Sequence, residues 1–299
     1  MSETHVVIGG ASGLIGSALA RSLEAAGTRV TRLVRRTPAG QGEVEWDPLH
    51  DRLDPAAVSG ADAVVNLSGA SLGRLPWTAA YRSEILWSRL SSTRTLVGAM
   101  HRADEAPKAF LSGSAVGFYG DRPGQTLTEE SSIGSGFLVD VVSAWEDEAN
   151  AAPDETRTVT MRNGIVVALN GVLKPLVPLT KAGVAGPLGS GRQHWPWISL
   201  TDEVAAIEHL IGSQLRGPVN LCGPAPATAD DIMFELAKRL NRPYLLRVPK
   251  FALRAALGTA ADGLLLSDQL VVPEKLLADG FTFTTSTAED AVVEALAAA

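Results

Sequence analysis

The stretch GGASGLIG, Gly9–Gly16, sits between a short β-branched run, HVVIGG, and an amphipathic one, SGLIGSALARSLEAAG. Glycines this dense weaken both helix and strand, so their position asks for a bare backbone. Gly10, Gly13 and Gly16 form G-x-x-G-x-x-G. The first permits a tight turn, the second lets the backbone approach a pyrophosphate, and the third lets helix and strand pack closely. Leu14, Ile15, Ala18, Leu19 and Leu23 follow at helical spacing until Gly27 stops the helix. An anion placed here meets the free N–H groups of the helix start, and Ser12 adds a hydroxyl. Gly10, Ser12, Gly13, Leu14, Ile15 and Gly16 are therefore the first candidate cofactor residues.

The next strand, RVTRLV, runs straight into Arg35 and Arg36. An NAD site places a carboxylate at this point for the ribose 2′-hydroxyl, whereas an NADP site places arginine for the 2′-phosphate. Arginine forks onto phosphate through charge-assisted bonds, and the nearest following acid, Glu43, lies several residues into the loop. NADP(H) is the expected cofactor. Further out, DAVVNLSG, KAFLSGSA and RTVTMRNGIVV read as strands separated by helical patterns such as WTAAYRSEILWSRLSSTRTLVGAMHRA and GFLVDVVSAWEDEANAA. Strict alternation predicts an α/β fold, a Rossmann-type doubly wound parallel sheet with helices on both faces, over residues 1–170.

After about residue 170 the texture changes, and residues 171–299 read as a smaller substrate-side lobe. KAGVAGPLGSGRQHWPWISLTD mixes Gly and Pro with Trp195 and Trp197, the composition of irregular structure around a pocket. Arg192, Gln193 and Trp197 are its candidate substrate-binding residues, suited to a planar or anionic ligand. Asp202 reads as a cap for the helix that follows. Amphipathic stretches recur near 202–213, 228–241 and 249–257. A strand such as VNLC has the character to return to the main sheet.

Composition narrows the function classes. Net charge is −7, which argues against generic attraction to nucleic acid or to an anionic membrane, so a small-molecule partner is expected. One cysteine, Cys222, makes no internal disulfide, and the five histidines lie too far apart for a local metal motif. A cytoplasmic location without a structural metal is the expectation. No apolar run approaches the ~18 residues of a membrane span, and no signal-like segment opens the chain.

GGASGLIG, NLSGAS, SGSAVGFYGD and GPLGSGRQHWPWISLTD together resemble the extended short-chain dehydrogenase/reductase superfamily. More narrowly, they are similar to its atypical epimerase-like branch, labelled nucleoside-diphosphate-sugar epimerase, with a C-terminal domain of unknown function at RVPKFALRAALGTAADGLLLSDQLVVPEKLLADGFTF. The resemblance implies that Leu67, Ser68 and Gly69 line the cofactor, that Glu84 and Arg89 approach its ribose and phosphates, and that backbone from Gly164 to Val166 passes the nicotinamide. It also implies a Ser with Tyr-x-x-x-Lys, in which lysine lowers the tyrosine pKa as hydride moves. Here the chain departs from its relatives. Tyr81, Tyr119 and Tyr244 are followed four residues on by Ile85, Pro123 and Val248, and Leu138 and Val142 occupy the approximate relay positions. Ser114, at the family serine's place, and Tyr119, in the adjoining loop, remain the catalytic candidates. Two classes stay open: an NADP(H)-dependent oxidoreductase or epimerase-like enzyme, and an NADP(H)-binding sensor without turnover. The chain is expected as a monomer or as a homodimer formed by Leu138, Val142, Trp145 and the long helix near 79–102, residues equally suited to packing inward.

Overall fold

The computed structural model describes residues 4–298. Its centre is a seven-stranded, wholly parallel sheet. In chain order the first half contributes β1 (His5–Gly9), α1 (Leu14–Ala25), β2 (Arg29–Val34), β3 (Glu43–Glu45), β4 (Ala63–Asn66), α2 (Ala79–Arg102) and β5 (Ala109–Ala115). After a 3-10 turn at Val116–Tyr119 come β6 (Thr126–Leu127), α3 (Phe137–Asn150) and β7 (Arg157–Asn163). The sheet order is β10-β7-β5-β4-β1-β2-β3, with β10 (Gly217–Leu221) joining from the second half. The strands are apolar without alternation, because both faces are covered. Val6, Ile8, Val65, Leu111 and Met161 share a core with α1 on one face, while Val7, Val64 and Phe110 share one with α2 on the other. Strand order reverses between β1 and β4, and crevices at such switch points, outside the carboxyl ends of the strands, are where ligands bind.

The second half adds β8 (Ile165–Val167), α4 (Leu173–Lys181), β9 (Trp197–Ser199), α5 (Leu200–Gly212), α6 (Ala229–Arg239), α7 (Lys250–Leu257), α8 (Thr259–Ala261), β11 (Leu270–Val271), α9 (Glu274–Ala278) and α10 (Ala288–Ala297). The helices at 200–212, 229–239 and 250–257 fall on the three amphipathic stretches of the sequence. A division at residue 170 does not describe the layers, however. α5 packs beside α1 in the core of the sheet, and VNLC does enter it as β10, against β7. What remains as a separate lobe is a core of Trp195, Trp197, Ile232, Leu236, Leu253 and Val292 around β8, β9, α4, α6 and α10.

Asp202 is not the cap of α5. Ser199 holds that place, its Oγ accepting from the Asp202 N–H at 3.0 Å. The fully buried Asp202 carboxylate instead accepts from the N–H groups of Thr284 (2.8 Å) and Thr285 (3.0 Å), tying the C-terminal segment to α5. Val142 and Trp145 are buried, Trp145 lying against Gly113 of β5, so these two positions of the anticipated dimer helix face inward.

Candidate functional site

The β1–α1 turn has the geometry its glycines require. Gly10 has φ +80°, and a Cβ there would stand 2.6 Å from the Leu67 carbonyl; one on Gly16 would stand 2.3 Å from Gly10 O. Gly10 holds the turn against the strand end beyond β4, and Gly16 lets the helix close onto the turn itself. Gly13 differs: its Cβ would meet only Gly10 O, at 3.3 Å, so its outer side is open. Gly13 is also the N-cap of α1, with no side-chain cap and no acid in the first turn. The N–H groups at Leu14 and Ile15 are thus left for an external acceptor, beside the exposed Ser12.

Across the switch point stand two polar groups, one without a hydrogen-bond partner and one without a counter-charge. Ser68 Oγ is buried and makes no hydrogen bond among the described residues. Arg89, on α2, packs against Gly69 and over the Trp145 ring, 5.2 Å from its centroid. Its guanidinium donates to the Ala70 and Ile85 carbonyls (3.2 and 2.9 Å) and faces no carboxylate among the described residues. Burial pulls its pKa down to about 10, the cost of a cation lacking a counter-charge. An open helix N-terminus and a desolvated cation beside Gly69 fit a dinucleotide's phosphates and ribose, whereas Ser68 Oγ is enclosed next to Gly9 and Asn66.

The remaining cofactor positions divide. Glu84 is exposed and lies 3.8 Å from Arg74. Val166 sits in β8, paired with Ile198 of β9 and packed on the main core. Arg35 is exposed and unpaired among the described residues, whereas Arg36 is forked onto Glu43 at 2.8 and 2.6 Å. The loop acid thus returns on β3 beside β2 and already occupies the second guanidinium.

The catalytic candidates lie elsewhere than the sequence suggests. Tyr119 is fully buried, donating to Asn220 Oδ1 at 2.6 Å and accepting from Arg162 Nη1 at 3.0 Å. Burial pushes its pKa up to about 12 despite the cation beside it. Ser114 is buried too, donating to Glu146 Oε1 at 2.5 Å. Glu146 in turn grips Arg162 bidentately at 2.8 and 2.9 Å, and Glu129 accepts from the Asn220 N–H at 3.1 Å. Sequence reading missed Glu146, Arg162, Asn220 and Glu129. One signal was present, an arginine inside the apolar strand TVTMRNGIVV, which demands a buried counter-charge.

The lobe residues are corrected similarly. Gln193 is buried, its amide donating to the Leu188 and Leu265 carbonyls, and Trp197 is buried with its indole N–H on Ala225 O at 2.8 Å. Their N–H donors are thus already taken by backbone carbonyls. Arg192 alone of the three is exposed. Beside them, Asp268 Oδ1 accepts from the His194 backbone N–H and lies 2.8 Å from its Nδ1.

Known proteins place this geometry in context. Residues 6–137 match the NAD dependent epimerase/dehydratase family, and residues 248–295 match a domain of unknown function, DUF1731. An epimerase family protein of Mycobacterium bovis is 40% identical over 295 residues, covering 98% of this chain and 97% of its own. This chain belongs to the epimerase family. The human family member SDR39U1 is 32% identical over 94% of the chain, and a crystal structure of human SDR39U1 with NADPH superposes with a TM-score of 0.90 at 30% identity, covering 97% of this chain and 98% of that one. A nucleoside-diphosphate sugar epimerase from Corynebacterium glutamicum gives 0.81 at 29% identity, over 99% of this chain and 58% of that one. Within an epimerase-family chain, the apolar Leu138 and Val142 and the sequestered Tyr119 set the site apart from a Tyr-x-x-x-Lys relay.

Proposed function

We propose that this epimerase-family chain binds NADP(H) across the β1–β4 switch point and presents it to a small anionic molecule held by the C-terminal lobe. The observation that carries this reading is Arg89, a desolvated guanidinium answered only by carbonyls, facing the same crevice as the uncapped start of α1. Gly10, Gly13, Gly16 and the N–H groups of Leu14 and Ile15 would hold the pyrophosphate. Ser12, Gly69 and Arg89 would hold neighbouring phosphate and ribose oxygens, and Arg35 the 2′-phosphate. When bound, the nicotinamide supplies hydride chemistry. Arg192 is the lobe's exposed cation for a substrate phosphate or carboxylate.

Turnover then has to manage without tyrosinate, because a buried phenol with its pKa near 12 is no base at neutral pH. A proton comes from water or the substrate itself in this reading. The burial of both Ser114 and Tyr119 favours a second reading, in which the protein binds NADP(H) without turnover and a partner reads the loaded form. Calorimetric titration with NADPH and NADH tests the shared step. Following nicotinamide absorbance with a panel of carbonyl compounds separates the two, since binding without oxidation across the panel leaves only the second.

A further inference from the structure

The lobe carries a surface feature that cofactor binding does not use. Between Glu235 and Asp262 the chain has six basic residues and no acid, in a protein whose net charge is −7. Lys238 and Arg239 are paired with Glu235, and Arg254 with Asp262. Arg242, Arg247 and Lys250 have no ion pair among the described residues and are exposed, as are Lys174 and Lys181 on the adjoining α4. The same face bears large apolar side chains: Leu245 is 80% exposed and Phe251 75%, with Leu246, Leu179 and Val184 about half exposed. The segments form one surface, because the N–H groups of Leu245 and Leu246 both reach Ala185 O and Arg242 Nε donates to Lys181 O. The acids nearby, Asp230 and Asp231, are held by the Tyr244 and Thr228 hydroxyls.

We infer that this face docks on an anionic lipid bilayer. Shape and charge together select that occupant. Leu245 and Phe251 stand out from the surface rather than lining a groove, so they suit insertion among acyl chains better than the seating of a helix. The cations around them match anionic headgroups. A second copy paired by two-fold symmetry would set these cations against each other. Net charge sums over the whole surface, but a membrane within a Debye length of about 10 Å feels the local face. Lys250 lies over Gly189, in the loop that carries Arg192, so the docked face borders that loop.

The test is co-sedimentation of the full chain with vesicles of phosphatidylcholine alone or mixed with phosphatidylserine, at low and high salt. Binding to the anionic vesicles only, weakened by salt, is expected. Leu245→Ser with Phe251→Ser should remove most of it, and Arg247→Glu or Lys250→Glu should each lower partitioning roughly fivefold or more. These side chains are exposed, so unchanged thermal melting serves as the folding control. Equal binding to both vesicle types, no binding to either, or retention by the serine variant overturns the inference. So does soluble polyglutamate displacing the vesicles without any dependence on Leu245 and Phe251, which would make the face a docking surface for an acidic protein.

Discussion

At the scale of single residues, the two arginines after β2 are unequal in a way their adjacency hides. Arg36 is already forked onto Glu43, whereas Arg35 has no partner to give up. Arg35→Ala should therefore weaken NADPH by roughly ten- to a hundredfold, the size of a lost charge-assisted bond, and leave NADH nearly untouched. Arg36→Ala should do much less. Calorimetry with both nucleotides checks this, and equal loss for NADPH and NADH would remove the 2′-phosphate assignment. The three glycines likewise separate. Gly13→Val meets only Gly10 O at 3.3 Å, so it should fold and lose nucleotide affinity. Gly16→Ala places a Cβ 2.3 Å from Gly10 O and should lower the melting temperature as well. A Gly13→Val protein that still binds NADPH would show that no pyrophosphate lies against this turn. The tight turn at these glycines was legible in the sequence because backbone demand at a strand–turn–helix is local. The Glu146–Arg162 pair was not, since its partners stand on α3 and β7 and meet only once the sheet forms.

At the scale of elements, β-branched runs ending in glycine marked the strands well, because burial on both faces leaves no alternation to misread. In the Gly/Pro/Trp segment, the sequence hides which polar groups are already engaged. Trp195, Trp197 and Gln193 look like pocket furniture until the carbonyls of Leu265, Ala225 and Leu188 are seen to absorb their donors. α5 offers a direct test of what its buried first turn does. Glu203 is fully buried there, and Asn163, in the amide orientation that satisfies both its ends, donates to Oε1 at 3.1 Å while Oε2 has no partner among the described residues. Desolvation raises its pKa to about 8, against an ordinary value of about 4.3. A folded-state pKa above the unfolded one means that the unfolded chain releases its proton first. The stability contribution is thus complete below about pH 4 and is lost as pH rises through 8. Glu203→Gln should flatten the decline in melting temperature between about pH 5 and pH 8, with the largest gain over the parent at the alkaline end. Parallel pH profiles for parent and variant would refute the buried-acid account.

At the scale of the whole molecule, the question is whether the sheet and the C-terminal lobe unfold together. Leu276 and Phe281 sit in the core of the main sheet, Asp202 holds the N–H groups of Thr284 and Thr285, and α10 closes on β8 and β9. The chain leaves the sheet, builds the lobe and returns, so neither part keeps its core if the other melts. A single cooperative transition follows, although the cofactor crevice belongs to the first half alone. NADPH at a hundred times its dissociation constant should then stabilise the entire molecule by about 2.7 kcal/mol. One calorimetric peak would move upward without splitting. Asp202→Ala strips the acceptor from two backbone N–H groups, which costs about 2–4 kcal/mol if both stay unsatisfied. In that variant the peak should broaden or divide, with NADPH moving only the component that contains β1, β4 and α1. Two transitions in the parent protein, only one of them responsive to nucleotide, would instead mean that the returning segment is a tether and not part of a shared core.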